Sequence, residues 1–511
     1  MNQNHRHFSA ELDTVLAESG IDPELTSMVM DRINALGQTE ARDCDVTLPG
    51  EDDPRILDMR LLTTWTADAR TVRRAIDRFG IPVYLVRGAD TGEDRYIFDR
   101  RSLRRIGIYL LPFLSYGILN GGSATSYTDS KKNHQFNAEL FALYASFFER
   151  FSRGIGGRSK GLTPAFFDDR YGAGPSFVEL KMRSLLNAAL RRQRLFGRDE
   201  RTLYPMFQMT NAKNDAEIEE AFAEYRESPF IAPLCEETGI DITDVSTGIQ
   251  PLIAAFSHSD AGSTRSVFLS AYGRHAPLAL PGGHGQCFAA LRGVFSKLLA
   301  AGKAFVQLGN VDNLGNTVDE TSLAILALSG APAGFDFSVR TPVDIKGGIL
   351  VRGNDGRLTC VDIGPAIGFD EIVDAETAGK SVLFNCATGV FNLEMLVESL
   401  DRIIAELPIR LSDQDKDVGR YAQAEQITWE VIGLLDNPLI FAVRKYDRFL
   451  AAKLLVENLL TSGIHLDANV FVESDDRLRA LRILGRNLNE GLVRRLAGVY
   501  GLRYGSAGWA A

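Results

Sequence analysis

Apolar positions along this chain recur at two spacings, and segments of the two kinds alternate. The clearest case lies between residues 278 and 319. Phe288, Leu291, Phe295 and Leu298 fall at helical spacing and predict one buried helix face. Gly302 stands just beyond, where a left-handed residue ends a helix. Residues 304–308 form an apolar run of strand length, and polarity changes directly after it, at Gly309, Asn310, Asp312, Asn313, Gly315 and Asn316. Strand-length runs are also predicted at 83–87, 95–98, 116–119, 204–209, 240–250, 344–351, 358–363 and 382–384. Helical patterns are predicted after Ser9 and after Asp22-Pro23. Further ones fall at 136–151, 177–190, 217–225, 322–328, 393–406, 424–434, 448–460 and 475–496. Strands alternating with helices through the middle predict an α/β fold, a mostly parallel sheet flanked by helices. Ligands in such folds sit beyond the carboxyl ends of the strands, so the polar residues after 308 are placed where a ligand or metal would lie.

Composition narrows the class. The chain has 511 residues, 45% hydrophobic and 24% charged, enough for a large core and for about three domains or one large one with appendages. Its net charge of −10 argues against a broad nucleic-acid-binding surface, while a few local cations can still hold a small anion. Five scattered cysteines without a C-x-x-C pair point to a reduced, cytoplasmic setting and away from a cysteine metal site. The first residues lack the apolar core of a secretory signal, and no apolar run is long enough to span a bilayer. Arg100, Arg101, Arg104 and Arg105 read as a solvated face.

Three glycine-rich turns carry the candidate chemistry. Asn120-Gly121-Gly122-Ser123-Ala124-Thr125-Ser126 follows an apolar run, where backbone N–H groups would approach a phosphate closely. It is neither a Walker A loop nor G-x-G-x-x-G. Residues 154–162 are glycine-rich and basic and contain Lys160, and Gly283-His284-Gly285 opens the helix described above.

Together these pieces resemble the UDP-sugar pyrophosphorylase family. Leu119-Asn120-Gly121-Gly122 with Thr125-Ser126 is similar to its L-N-G-G-x-G-T-S loop. Gly283-His284-Gly285 followed by Asn310-Val311-Asp312-Asn313-Leu314-Gly315 resembles the G-H-G and S-N-x-D-N-L-G pair. Asp344-Ile345-Lys346-Gly347-Gly348 is similar to D-V-K-G-G, Phe384-Asn385 to the start of F-N-T-N-N, and 448–453 to R-F-L-P-V-K. The order is kept from about residue 115 to about 460.

The resemblance implies a Rossmann-like nucleotidyltransferase fold and a reaction of UTP with a sugar 1-phosphate, glucose 1-phosphate first, giving UDP-sugar and pyrophosphate. Mg²⁺ would be the cofactor, with Asp312 as its ligand. Gly121, Gly122, Gln250, Gly283 and His284 would bind the nucleotide, with Gln250 reading the uracil edge. Asn310, Gly348, Asp362 and Asn385 would face the sugar. Lys453 and Lys160 would act on the phosphates, with Lys131 and Lys132 as alternates for the second. The resemblance implies no nucleic-acid or membrane partner and leaves the oligomeric state open. It implies a mainly helical region at 1–104, a catalytic domain at 105–460 with an inserted helix at about 134–157, and a small helical region at 461–511.

Four departures bear on function. Ala124 replaces a loop glycine, no P-K follows the loop directly, Asp362 replaces the usual Glu, and Ala387 and Thr388 replace two asparagines. They leave room for another sugar, such as N-acetylglucosamine or galactose 1-phosphate, or for a non-catalytic nucleotide-sugar sensor.

Overall fold

The structure, a computed structural model, describes residues 8–36, 46–50, 52–86, 94–199, 204–262, 264–341, 344, 346–364, 366–471 and 476–511. A ten-stranded sheet forms its centre. In chain order its strands are β1 (Ile56–Asp58), β2 (Leu114–Leu119), β3 (Met206–Asn211), β4 (Val245–Gln250) and β5 (Phe305–Asn310). β6 (Ala333–Val339), β7 (Gly348–Arg352), β8 (Leu358–Asp362), β9 (Leu383–Asn392) and β10 (Leu439–Val443) follow. Their spatial order is β1-β10-β6-β9-β5-β2-β3-β4, with the β7–β8 hairpin joined to β9. β9 runs antiparallel to both neighbours, and the other pairs along that path are parallel.

Helices cover both faces, and strand alternation assigns residues to them. Phe305 packs in one core with Tyr116, Ile118 and the helices Arg100–Leu110, Phe177–Phe196 and Glu320–Ser329. Val306 and Leu308 pack in another with the helices Arg292–Ala300 and Leu393–Glu406. The register aligns the carboxyl ends of four neighbouring parallel strands: Asn310 is level with Leu119, and Asn211 with Gln250. Polar residues that follow these strands therefore converge on one edge of the sheet.

Several predicted elements differ. Residues 83–86 form a helical turn, and the strand Arg95–Asp99 pairs instead with Thr64–Asp68. Residues 87–93 lie outside the described residues. The first 104 residues thus hold three short strands as well as helices. The single inserted helix is three: Ser130–Phe136, Ala138–Leu143 and Ala145–Ile155. Asn137 breaks it, because its backbone is extended and its side chain caps the next helix by accepting from Leu140 N at 2.7 Å. Residues 424–434 are not one helix. They hold the end of the strand Gly419–Glu425, whose hairpin partner is Arg410–Lys416, and the 3-10 turn Thr428–Leu434. The helix predicted over 448–460 is broken into Lys445–Arg448 and Leu455–Thr461, which leaves Lys453 on the loop between them. The C-terminal segment adds a hairpin, Arg503–Gly505 with Gly508–Ala510, to its helix Asp476–Gly498. The Arg100–Leu110 helix is not simply a solvated face, since Arg100 donates to Met59 O at 2.7 Å.

Candidate active site

The loop after β2 is fixed from beneath by buried amides. Asn120 is fully buried, and its Nδ2 donates to Gln208 Oε1 at 3.1 Å, while its carbonyl accepts from Asn214 Nδ2 at 3.2 Å. Residues 156–162 pair with the loop from the other side. Lys160 N donates to Gly122 O at 2.9 Å and Ala124 N to Arg158 O at 2.8 Å. Ala124, the departure from glycine, is fully buried against Tyr127 and Phe148. The pairing brings Lys160 under the loop, whereas Lys131 and Lys132 sit on the exposed helix beyond it, where Lys132 Nζ donates to Ser126 Oγ at 2.7 Å.

Lys160, Asp312 and Lys453 meet. The Asp312 carboxylate follows β5 and is buried, and its Oδ2 lies 3.1 Å from Lys453 Nζ and 3.7 Å from Lys160 Nζ. Lys160 Nζ also donates to Ala452 O at 2.7 Å and lies 4.2 Å from the centre of the Tyr127 ring. Burial pushes the Lys160 ammonium below its ordinary pKa against the pull of Asp312. Burial also works to raise Asp312, but Lys453 and Lys160 outweigh it and hold the carboxyl below the usual range. Asp312 in turn raises Lys453, whose side chain is two-thirds exposed at 66%. The result is a fixed carboxylate between one sheltered and one open cation.

A neighbouring buried lysine, Lys181, serves the scaffold. Its Nζ donates to the carbonyls of Asn313 and Asn316 and so holds the turn that carries Asp312. Asn313 is fully used as well. Its Nδ2 donates to Cys386 O at 2.9 Å and Arg448 O at 3.0 Å, and its Oδ1 accepts from Gly315 N and Leu450 N, both at 2.9 Å.

Gln250 ends β4 beside Gly121. Both its amide hydrogens are used, on Gly283 O at 2.8 Å and Gln286 Oε1 at 2.9 Å. This fixes the amide with Oε1 as an acceptor, 3.1 Å from where a Cβ on Gly121 would stand. The arrangement suits a base edge that presents an N–H. His284 is held by Thr428, whose backbone N–H donates to its Nδ1 at 3.1 Å. Nδ1 is therefore unprotonated and Nε2 carries the hydrogen. Burial, aided by Lys453, depresses the imidazole pKa to about 4, so His284 is neutral near pH 7. Gly283 has a reason apart from any nucleotide: its φ is +82° and a Cβ there would collide with the Gln426 backbone.

At the other end of the site stand Gly348, Asp362 and Asn385. Gly348 is level with Asp362 across the β7–β8 hairpin, and a Cβ on it would approach Cys360 Sγ at 2.5 Å and Asn385 Nδ2 at 3.6 Å. Asn385 Oδ1 accepts from Ala387 N at 2.8 Å, and Ala387 itself is left-handed, with φ +49°. Asp362 is claimed by Arg410, whose Nη1 donates to its Oδ2 at 2.9 Å while Nη2 donates to Glu430. Glu430 is 6% exposed, and burial raises its carboxyl to about 7. Asn310 is partly buried at the end of β5. Arg410, Glu430 and Thr428 were not singled out in the sequence. Thr428 and Glu430 come from a 3-10 turn inside the helix predicted at 424–434, and Arg410 from a hairpin strand where no element was predicted.

A divalent cation fits this donor set in one way. Among the described residues no three His, Cys, Asp or Glu side chains are grouped to hold a metal. Asp312 offers one carboxylate, and its Oδ1 makes no hydrogen bond among the described residues. Mg²⁺ commonly takes one or two carboxylates and completes its shell with water and phosphate oxygens, so Asp312 would suffice.

The chain is similar to several known proteins. Residues 270–480 match the family model described as UTP–glucose-1-phosphate uridylyltransferase. The enzyme of that name from Encephalitozoon cuniculi is 25% identical over 201 residues, 39% of each chain. That from Solanum tuberosum is 27% identical over 185 residues, 36% of this chain and 38% of its own. The chain spans about two fifths of the length of these curated relatives. Among solved structures, the UDP-N-acetylglucosamine pyrophosphorylase from Trypanosoma brucei in complex with inhibitor superposes with a TM-score of 0.60 at 16% identity, over 96% of this chain and 91% of its own. The UDP-glucose phosphorylase from the same organism gives 0.56 at 17%, over 88% and 77%. The fold is the one these two solved structures share. Within residues 270–480 the chain is similar to UTP–glucose-1-phosphate uridylyltransferases.

Proposed function

We propose that this protein is a uridylyltransferase that joins UTP to a sugar 1-phosphate, glucose 1-phosphate first, and releases pyrophosphate. The observation that carries the reading is the meeting of Lys160 and Lys453 on Asp312, at 3.7 and 3.1 Å, beside the Gly121-Gly122 loop. A sugar phosphate oxygen attacks the α-phosphorus in line, the α–β bond breaks, and the electron pair leaves with pyrophosphate. The protein's task is to orient the two anions and offset their charge. Lys160, buried and pinned to Ala452 O, provides a fixed cation; Lys453, exposed, swings toward incoming phosphate. Neutral His284 offers its Nε2 hydrogen, and Gln250 Oε1 accepts the base N–H. Mg²⁺, when held by Asp312, would neutralise phosphate charge as a Lewis acid.

The sugar end supports a second reading, in which the same chemistry uses N-acetylglucosamine or galactose 1-phosphate. Arg410 and Glu430 surround Asp362, and Ala387 and Thr388 stand where amides are expected. The decisive measurement is pyrophosphate release by purified protein with Mg²⁺ across a panel of nucleoside triphosphates and sugar 1-phosphates. Turnover with UTP and one sugar phosphate is expected, and Asp312→Ala is expected to abolish it with the melting curve still cooperative. Absence of turnover across the panel would refute an enzymatic role.

A further inference from the structure

A cavity of about 410 Å³ opens where the Arg100–Leu110 helix, the Glu320–Ser329 helix and the C-terminal helix approach the end of β10. Five arginines line it: Arg60, Arg100, Arg444, Arg448 and Arg495. Two aspartates, Asp319 and Asp447, oppose them. Both carboxylates have other duties. Asp447 Oδ1 accepts from Arg494 Nη2 at 2.8 Å, and Asp319 Oδ1 caps a helix by accepting from Ser322 N at 2.8 Å. Outside the lining, Asp58 pairs with Arg60 and Asp336 with Arg448, so among the described residues the cations without a carboxylate partner are Arg100, Arg444 and Arg495, in a space of small-molecule size.

Arg444 and Arg495 keep unused donors. Arg448 is held by Asp336 at 2.7 Å and by Thr317 O at 2.8 Å, and Arg495 donates to Thr317 Oγ1. Arg495 Nε is buried without a hydrogen-bond partner. Arg444, exposed at the mouth, makes no side-chain hydrogen bond or ion pair among the described residues. The three cations left without a carboxylate partner favour an anion among them. Planar guanidinium forks match phosphate oxygens bidentately.

We infer that this cavity is a second anion site, separate from the Lys160–Asp312–Lys453 cluster, and that it takes a small phosphate monoester. Arg448 ties it to the turn that bears Asp312. Its main-chain carbonyl accepts from Asn313 Nδ2 at 3.0 Å, and Gly315 packs on its backbone so closely that a Cβ there would collide with it. Occupancy of the cavity and the position of Asp312 are thus linked through one backbone segment.

The test is isothermal titration of the full chain with glycerol 3-phosphate, with glycerol as the uncharged control. Three variants are compared with the unaltered protein: Arg444→Glu, Arg444→Ala and Lys160→Met. Saturable binding is expected in the unaltered protein and in Lys160→Met, about tenfold weaker in Arg444→Ala and lost in Arg444→Glu, with unchanged melting temperatures. No binding of glycerol 3-phosphate, equal binding of glycerol, survival of binding in Arg444→Glu, or its loss in Lys160→Met would each overturn the inference. None of these readouts depends on turnover, so the proposed reaction stands or falls separately.

Discussion

Two lysines near the same loop have opposite surroundings, and that decides what each can do. Lys160 is sheltered, 3.7 Å from Asp312, while Lys132 is exposed and bonded to Ser126. Replacing Lys160 by Ala is expected to lower kcat about 100-fold or more, and replacing Lys132 by Ala to leave it within about twofold, as read in the pyrophosphate assay. His284 allows a second test. Its folded pKa of about 4 lies below the ordinary 6.5, so the unfolded chain takes up the proton first as pH falls. The stability it contributes is complete above pH 6.5 and is lost progressively down to about pH 4. Urea midpoints should therefore fall more steeply between pH 7 and 4.5 in the unaltered protein than in His284→Gln. Most of the site's residue types were legible in sequence, since Asp312, His284, Gln250 and Lys160 stand in short motifs beside glycines. What was not legible is which groups already have partners. The Arg410–Glu430 contact on Asp362 joins residues 362, 410 and 430, and no local pattern encodes it.

At the scale of elements, glycine in G-H-G serves packing first. A side chain at 283 must adopt φ near +82° and meet the Gln426 backbone. Gly283→Ala is expected to cost about 1–3 kcal/mol in chemical denaturation, with binding of UTP weakened through displacement of His284. The same element explains a misreading. Residues 410–425 pair as a hairpin whose first strand is charged and largely exposed, so period-2 hydrophobicity is faint there. Ala422 and Ala424 are buried on the second strand and resemble helix formers in isolation. By contrast, the helix Leu393–Glu406 was fully legible, because one apolar stripe faces one core. The three short helices over 130–155 read as one because Asn137 and Tyr144 interrupt the backbone without interrupting the apolar pattern.

At the scale of the molecule, the C-terminal helix belongs to the main core. Leu492, Leu496, Tyr500 and Leu502 are buried in it, and Tyr500 donates to Leu314 O at 2.7 Å, two residues past Asp312. Each large side chain contributes about 1.5–3 kcal/mol by burial, so their sum is comparable with the whole stability of a typical domain. Removing residues 476–511 is expected to give an aggregated or molten product, read as loss of near-UV circular dichroism. Sequence periodicity showed that this helix exists; it carried no sign of where the helix docks, because docking is a matter of long-range contact. The Asn313 side chain has a related consequence, one of timing. It bonds to residues 315, 386, 448 and 450, so its four partners are not all present until the ribosome has made residue 450. During synthesis the Asp312 turn waits, with its glycine loop already made and its second lysine still to come. A nascent chain stalled before residue 448 would hold all three glycine-rich turns and no assembled centre.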